Sequence, residues 1–305
     1  MSVGYSCACS IQQEGQVLNK SAVSRRDDPD FVPYDTSSLT FSESGAGPGR
    51  AFVIRLIEWI TGKITLLRIA NKFEKSGRAY ENTIWEKALE LLDIELICPQ
   101  KYIDRIPKTG PLVMVANHPF GFVDGLVLAN LVSQVRPDLK ILTRAFFASV
   151  PDIEENMVAV AFPHDENSVQ KNIAVRKEVM EHLANAGAVI LFPAGRVATA
   201  PTPFGQAVEH DWNPFTSKMI LKSKARVVPV YFAGQNSRWY QMVQLYSATL
   251  RQSLMMYEIK RAIGKPQAPI VGEPIERDEI DPWVLNPRGF MAHLRDHTLS
   301  LKDKP

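Results

Sequence analysis

The chain has 305 residues, of which 45% are hydrophobic and 22% charged. That suits one large α/β domain with appendages, or two small domains, with no need of a metal or disulfide staple. A net charge of +2 without any basic run excludes a protein that tracks nucleic-acid phosphates, and 3 cysteines (Cys7, Cys9, Cys98) exclude a disulfide framework and point to a reducing compartment.

Residues 1–49 are rich in Ser, Gly, Asp and Pro, with Arg25-Arg26-Asp27-Asp28-Pro29 and Ser44 to Gly49 as breakers. They read as a loosely docked lead-in. The start lacks the charged residues and apolar block of a secretory signal. Cys7 and Cys9 invite lipidation or metal binding, but a plain polar start is the simpler reading.

Residues 51–73 carry the first strong helix signal. Val53, Leu56, Ile57, Ile60, Ile64 and Leu67 form one stripe at helical spacing, with Trp59 beside it. At about 1.5 Å per residue this stretch is roughly 35 Å long. Arg55, Glu58, Lys63, Arg68 and Lys72 interrupt it, and each charge near a bilayer centre costs about 2.5–3.5 kcal/mol. The helix is therefore expected either to lie in a membrane interface or to pack on the body, not to span. No apolar run reaches spanning length elsewhere. The expected organisation is a lead-in (1–49), N-terminal helices with membrane contact (50–95) and an α/β domain (96–305).

A second helix is expected over 80–94 and a short strand over 95–98. The apolar run 112–116 reads as a buried strand that stops at Asn117-His118-Pro119, and a helix is expected from about 125 to 135. Strands at 140–143 and 158–162 precede a helix over 168–186, with Ile173, Val179, Met180 and Leu183 inward and Gly187 as its C-cap. A strand over 188–192 leads into Pro193-Ala194-Gly195-Arg196. A helix over 213–223 follows, then a strand over 227–232 in which Pro229 suggests an edge or irregular position. Helices near 239–264 and 288–299 flank a last strand at 268–271. Alternating strands and helices predict an α/β fold with a mixed, mainly parallel central sheet.

A buried strand that ends on a histidine presents its imidazole at the sheet edge. Asp124, six residues on, can hold that ring in one tautomer. A neutral imidazole, with a pKa near 6.5, can take a proton from an attacking group at working pH. The plainer reading is a turn histidine beside a helix-capping aspartate.

Asn117-His118 with Asp124, then Phe192-Pro193-Ala194-Gly195, then Val228-Pro229-Val230 resemble, in this order, three blocks of the glycerolipid (lysophosphatidate-type) acyltransferase superfamily. The form His-Pro-x-Gly-x-x-Asp-Gly is similar to its bacterial hemolysin-like branch, and the likeness covers roughly residues 80–276. The resemblance implies a membrane-associated enzyme of lipid metabolism that moves a fatty acyl group from acyl-CoA or acyl carrier protein to a lyso-lipid or amino-lipid. His118 would be general base and Asp124 its orienter. Asn117, Gly121, Arg144, Phe192, Pro193, Gly195 and Arg196 are the implied substrate contacts. Backbone N–H groups at Gly121 and Gly195 are candidate oxyanion donors. Neither a metal nor an organic cofactor is expected, because the thioester is already activated. The implied partners are the acyl donor, a lipid acceptor and a membrane surface, with the protein cytoplasmic and peripheral to the inner face of the membrane.

This sequence departs from the pattern in three places. Five residues separate His118 from Asp124, one more than usual. Ala194 stands where a glutamate is typical. The block around 158–167 lacks the arginine usually offered to a glycerol phosphate, leaving Arg144, Lys171 and Arg196 as anion contacts. Phe120, Phe122, Phe146 and Phe147 are candidates for an acyl-chain lining or for ordinary core, and His164-Asp165 has no recognised ligand spacing. Two other readings remain: a lipid thioester or ester hydrolase, disfavoured by the lack of a Gly-x-Ser-x-Gly elbow, and a non-catalytic lipid-binding membrane protein.

Overall fold

The computed structural model describes residues 40, 47–75, 84–143, 153, 155–161 and 167–303. Its centre is a six-stranded sheet: β1 (Leu112–Ala116), β2 (Leu139–Thr143), β3 (Met157–Ala159), β4 (Ala188–Leu191), β5 (Arg226–Tyr231) and β6 (Ile270–Val271). The order is β3-β2-β4-β1-β5-β6. Five strands run parallel and only β6 is antiparallel, to β5. The expected mixed, mainly parallel sheet is therefore present.

β1 is buried at every position, as a central parallel strand covered on both faces must be. Alternate side chains enter opposite layers. Leu112, Met114 and Ala116 join a core that includes Ile84, Trp85 and Leu89 of α3 (Ile84–Leu91) and much of α5 (Phe122–Ser133). Val113 and Val115 join the other core, with α6 (Ser168–Ala184), α7 (Pro214–Lys222) and α12 (Pro287–Ser300). The result is a three-layer α/β/α arrangement. Two further helices matter below: α9 (Ala248–Ser253) and α10 (Met255–Ala262). The remaining short ones are α4 (Gln100–Ile103), α8 (Arg238–Val243) and α11 (Arg277–Ile280).

The N-terminal stretch forms α1 (Pro48–Glu58), a π-helical turn (Trp59–Lys63) and α2 (Ile64–Lys75). No described helix is long and apolar enough to cross a membrane.

Several local expectations are corrected. The strand expected over 95–98 is a single bridge, Leu96 to Gln267. Helix α6 buries Val175, Val179 and Leu183, whereas Ile173 is 59% exposed. Its left-handed residue is Ala186 (φ 63°), not Gly187. Gly187 is required for a different reason: a Cβ there would sit 2.4 Å from the His182 ring. Of the two positions expected for Pro229 the irregular one is present, since β5 runs between β1 and β6 and not on an edge. Its carbonyl accepts a hydrogen bond from the Gly272 N–H at 2.8 Å. On that outer side the partner segment pairs discontinuously, at Val230 and Tyr231 with β6 and at Val227 with Ile275. The missing proline N–H falls in the gap.

Candidate active site

Strand β1 lies between β4 and β5, with β2 and β3 beyond β4 and β6 beyond β5, so the strand order reverses beside β1. In open α/β sheets such a point forms a crevice at the carboxyl ends of the strands. Here the ends of β1 and β4 bring His118 and Phe192 together, with ring centroids 4.2 Å apart. Asn117 fixes the end of β1: its side-chain amide donates to the Phe232 carbonyl at 2.9 Å and accepts from the Phe232 N–H at 2.7 Å. Its amide is thus engaged with the main chain just beyond β5.

The turn after His118 absorbs the additional residue. Pro119 has no N–H to satisfy, and Gly121 takes φ 84°, ψ −114° at the N-cap of α5, a backbone state that side chains disfavour. A Cβ at Gly121 would also come within 2.8 Å of the Met255 methyl. The turn delivers Asp124, fully buried, to the first turn of α5.

Asp124 Oδ2 accepts hydrogen bonds from the Phe120 and Gly121 N–H groups at 2.8 and 3.0 Å. The same oxygen lies 3.1 Å from His118 Nδ1. That contact is at hydrogen-bonding distance but off the ideal line, and Nδ1 has no other partner among the described residues. Asp124 therefore both caps the helix and faces the imidazole. With Nδ1 turned inward, Nε2 is the nitrogen left for chemistry, on a side chain 18% exposed. Burial pushes the Asp124 pKa up, and His118 with the two N–H donors pulls it back only in part.

A second buried carboxylate lies behind the histidine. Glu209 Oε2 accepts from the His118 main-chain N–H at 3.0 Å, and Oε1 accepts from the Trp212 indole N–H at 3.0 Å. The His118 carbonyl accepts from Ala198 N–H at 2.8 Å, so both peptide groups flanking the histidine are pinned. Burial raises the Glu209 pKa as well, against the pull of the His118 and Trp212 donors. The sequence did not single out Glu209. Its only local sign is a polar run, Glu209-His210-Asp211, between Val208 and Trp212.

The other expected site residues divide. Pro193 accepts from Asn213 N–H at 2.9 Å and so ties the β4 loop to α7. Gly195 takes φ 66°. Arg196 is exposed; with Arg251 and Arg295 it adds to the effect of burial in lowering the pKa of His210. At these turns the glycine N–H groups themselves are engaged, Gly121 N–H by Asp124 and Gly195 N–H by the Phe192 carbonyl at 2.9 Å. Phe120 and Phe122 pack against the core. Lys171 is exposed on α6. Arg144, Phe146, Phe147, His164 and Asp165 lie outside the described residues.

Two curated relatives are lyso-glycine lipid O-acyltransferases. That of Phocaeicola vulgatus is 22% identical over 156 residues, and that of Bacteroides thetaiotaomicron 25% over 156. Each match covers 51% of this chain, and the chain spans about half the length of these relatives (53% and 54%). Among solved structures, the 1-acyl-sn-glycerophosphate (LPA) acyltransferase of Thermotoga maritima aligns over 85% of this chain and 87% of its own, at 17% identity and a TM-score of 0.42. A family model described as "Acyltransferase" matches residues 96–263, which hold His118, Asp124, Phe192 and Glu209. The chain belongs to this acyltransferase family.

Proposed function

We propose that the protein transfers a fatty acyl group from acyl-CoA or acyl carrier protein to a hydroxyl group of a lyso-lipid, of the amino-acid-lipid kind named in its relatives. The observation that carries this reading is the pair at the end of β1: a buried carboxylate 3.1 Å from Nδ1 of a partly exposed histidine. Nε2 takes the proton as the acceptor oxygen attacks the thioester carbonyl. A C–O bond forms, the C–S bond breaks, and the proton passes from Nε2 to the departing thiolate. The acceptor occupies the place that a serine holds in a triad. Asp124 opposes the positive charge that appears on the ring, and Glu209 holds the main chain behind it. A general base supplies about 10²–10⁴-fold; positioning of the two substrates supplies the rest. The thioester brings its own activation, so the step calls for no prosthetic group.

The same pair presents water equally well, which makes a thioester hydrolase the second reading. Incubation with a labelled long-chain acyl thioester and a panel of lyso-lipids bearing hydroxyl or amine acceptors separates the two. The expected product is labelled lipid whose acyl group is released by mild alkali, as an ester is. Free fatty acid formed equally well without acceptor would establish hydrolysis, and alkali-resistant label would place the acyl group on an amine.

A further inference from the structure

Few buried polar side chains in a native fold lack a partner, and each that does calls for an explanation in a ligand, a catalytic role or strain. Five buried side-chain polar atoms have no hydrogen-bond partner among the described residues: His118 Nδ1, Asp124 Oδ1, Arg176 Nε, Asn236 Nδ2 and Gln241 Nε2. Two of them belong to the catalytic pair. Asn236 and Gln241 supply two more, and the transfer step described above uses neither. Asn236 is 3% exposed and Gln241 wholly buried. The orientation of Gln241 is fixed, because its Oε1 accepts from the Ala200 N–H at 2.8 Å. Its free end is therefore an N–H donor.

The backbone brings both amides to the catalytic turn. Residues 232–236 continue β5 beyond the carboxyl end of β1, where Asn117 clamps the Phe232 main chain. Gly234, at φ 118°, passes so close to the Phe120 ring that a Cβ would lie 2.5 Å from Phe120 Cζ. Gln235 Oε1 accepts from the Ala207 N–H at 2.7 Å, two residues before the glutamate that holds the His118 N–H. Gln241 is tied to Ala200, two residues after the alanine that donates to the His118 carbonyl. Ser237 caps α8, and its main-chain N–H donates to the buried Glu258 of α10 at 2.9 Å. Asn236 immediately precedes that cap and Gln241 stands in the turn after it, the two positions whose side chains pack together across a helix start. Here those positions hold two amides. The main-chain donors beside them are already used, Tyr240 N–H by Ser237 Oγ and Gln241 N–H by the Ser237 carbonyl.

Two N–H donors without an acceptor call for an oxygen atom. A standing carboxylate or phosphate would be costly at buried, neutral amides. A thioester carbonyl fits them better. It is neutral when it binds and carries negative charge only while the acceptor oxygen adds to its carbon. Amide donors held ready in a buried site favour that charge without reorganising. The Gly121 and Gly195 N–H groups are occupied, which leaves this role open for side chains.

We infer that Asn236 Nδ2 and Gln241 Nε2 donate to the thioester carbonyl oxygen as it becomes an oxyanion. When the C–S bond breaks, the electron pair on that oxygen re-forms the carbonyl, and the thiolate leaves with the proton from His118 Nε2. The same contacts hold the carbonyl in place for attack. This deepens the acyl-transfer reading above and rests on it for the identity of the bound carbonyl.

The test is steady-state transfer by the full chain from a labelled long-chain acyl thioester to a lyso-lipid, with thermal melting alongside. Asn236→Leu has a similar volume and no donor. It should lower kcat by about 10²–10³-fold, leave KM within a few-fold, and melt no lower than wild type, because an unpaired buried amide brings the fold only its desolvation cost. Asn236→Ala, which cannot clash, should lose the same activity. Gln244→Leu is the control: it breaks the bond from Gln244 Nε2 to the Ala200 carbonyl at 2.7 Å, and it should lower the melting temperature while keeping kcat. Transfer within a few-fold of wild type by either Asn236 variant, a rise in KM with kcat kept, or an equal fall in Gln244→Leu would overturn the inference. A wild type that turns over no thioester would remove the acyl-transfer reading and this inference with it, whereas an active wild type with unaffected Asn236 variants would remove the donor pair alone. If wild type releases free fatty acid, the same comparison holds for the hydrolysis rate.

Discussion

Asp124→Asn is expected to lower acyl transfer by about 10²–10⁴-fold while leaving the protein at least as stable as the wild type at neutral pH. The asparagine oxygen can occupy the place of Oδ2 and keep both N–H bonds from Phe120 and Gly121. The helix cap therefore survives and only the charge beside His118 goes. That charge matters when the ring becomes an imidazolium, because the site is buried and water cannot replace the carboxylate. Stability moves the other way. Burial raises the Asp124 pKa in the folded protein, so the folded state binds the proton more tightly than the unfolded chain does. Such a carboxyl withdraws stability as pH rises from its unfolded pKa through its folded one. The variant is free of that cost, so its advantage in melting temperature should shrink as pH falls and the wild-type carboxyl takes up its proton. Activity within a few-fold of wild type would reduce Asp124 to a helix cap, and a lower melting temperature would mean that the asparagine does not reproduce the cap.

Glu209→Ala should strongly destabilise the fold. It leaves two donors, the His118 N–H and the Trp212 indole, without their acceptor in a buried setting. Each orphaned group costs about 1–3 kcal/mol, so denaturant unfolding should show a loss of several kcal/mol. Glu209→Gln keeps the shape and one acceptor oxygen, and it separates scaffold from electrostatics. Glu209→Gln should cost far less stability than Glu209→Ala, so the activity it loses reports the charge behind the histidine and not the clamp. Trp212→Phe removes one donor and keeps the carboxylate, and it should leave acyl transfer near the wild-type rate. If Glu209→Gln also transfers at the wild-type rate, Glu209 acts only as a clamp on the His118 main chain.

The part of the site legible in the sequence is the part built from one continuous stretch. The apolar run 112–116, its break at Asn117-His118-Pro119 and the nearby Asp124 form strand, turn and helix cap within a few residues, and local chemistry suffices to read them. Glu209 escapes because it acts on a residue 91 positions away. It is brought there by the loop after β4, which closes through the Thr199–Val208 bridge. The glycines show the complementary limit. Sequence marks Gly121 and Gly195 as turns, yet only the structure shows that their N–H groups are already engaged. Periodicity finds the stripe on residues 51–73 but cannot tell which side faces the body. The buried Glu58 and the exposed Ile60 decide that. For Pro229 the sequence leaves an edge and an irregular position open, and the pairing of the neighbouring segments decides for the irregular one.

His118 as the proton acceptor in acyl transfer is tested by the transfer rate of His118→Gln beside wild type. Both proteins would receive the same labelled acyl thioester and lyso-lipid vesicles, and both would be checked by thermal melting and flotation. The predicted result is a fall of about 10²-fold or more in transfer, with melting and vesicle binding preserved. A folded, membrane-bound His118→Gln protein that still transfers within a few-fold of wild type would contradict it.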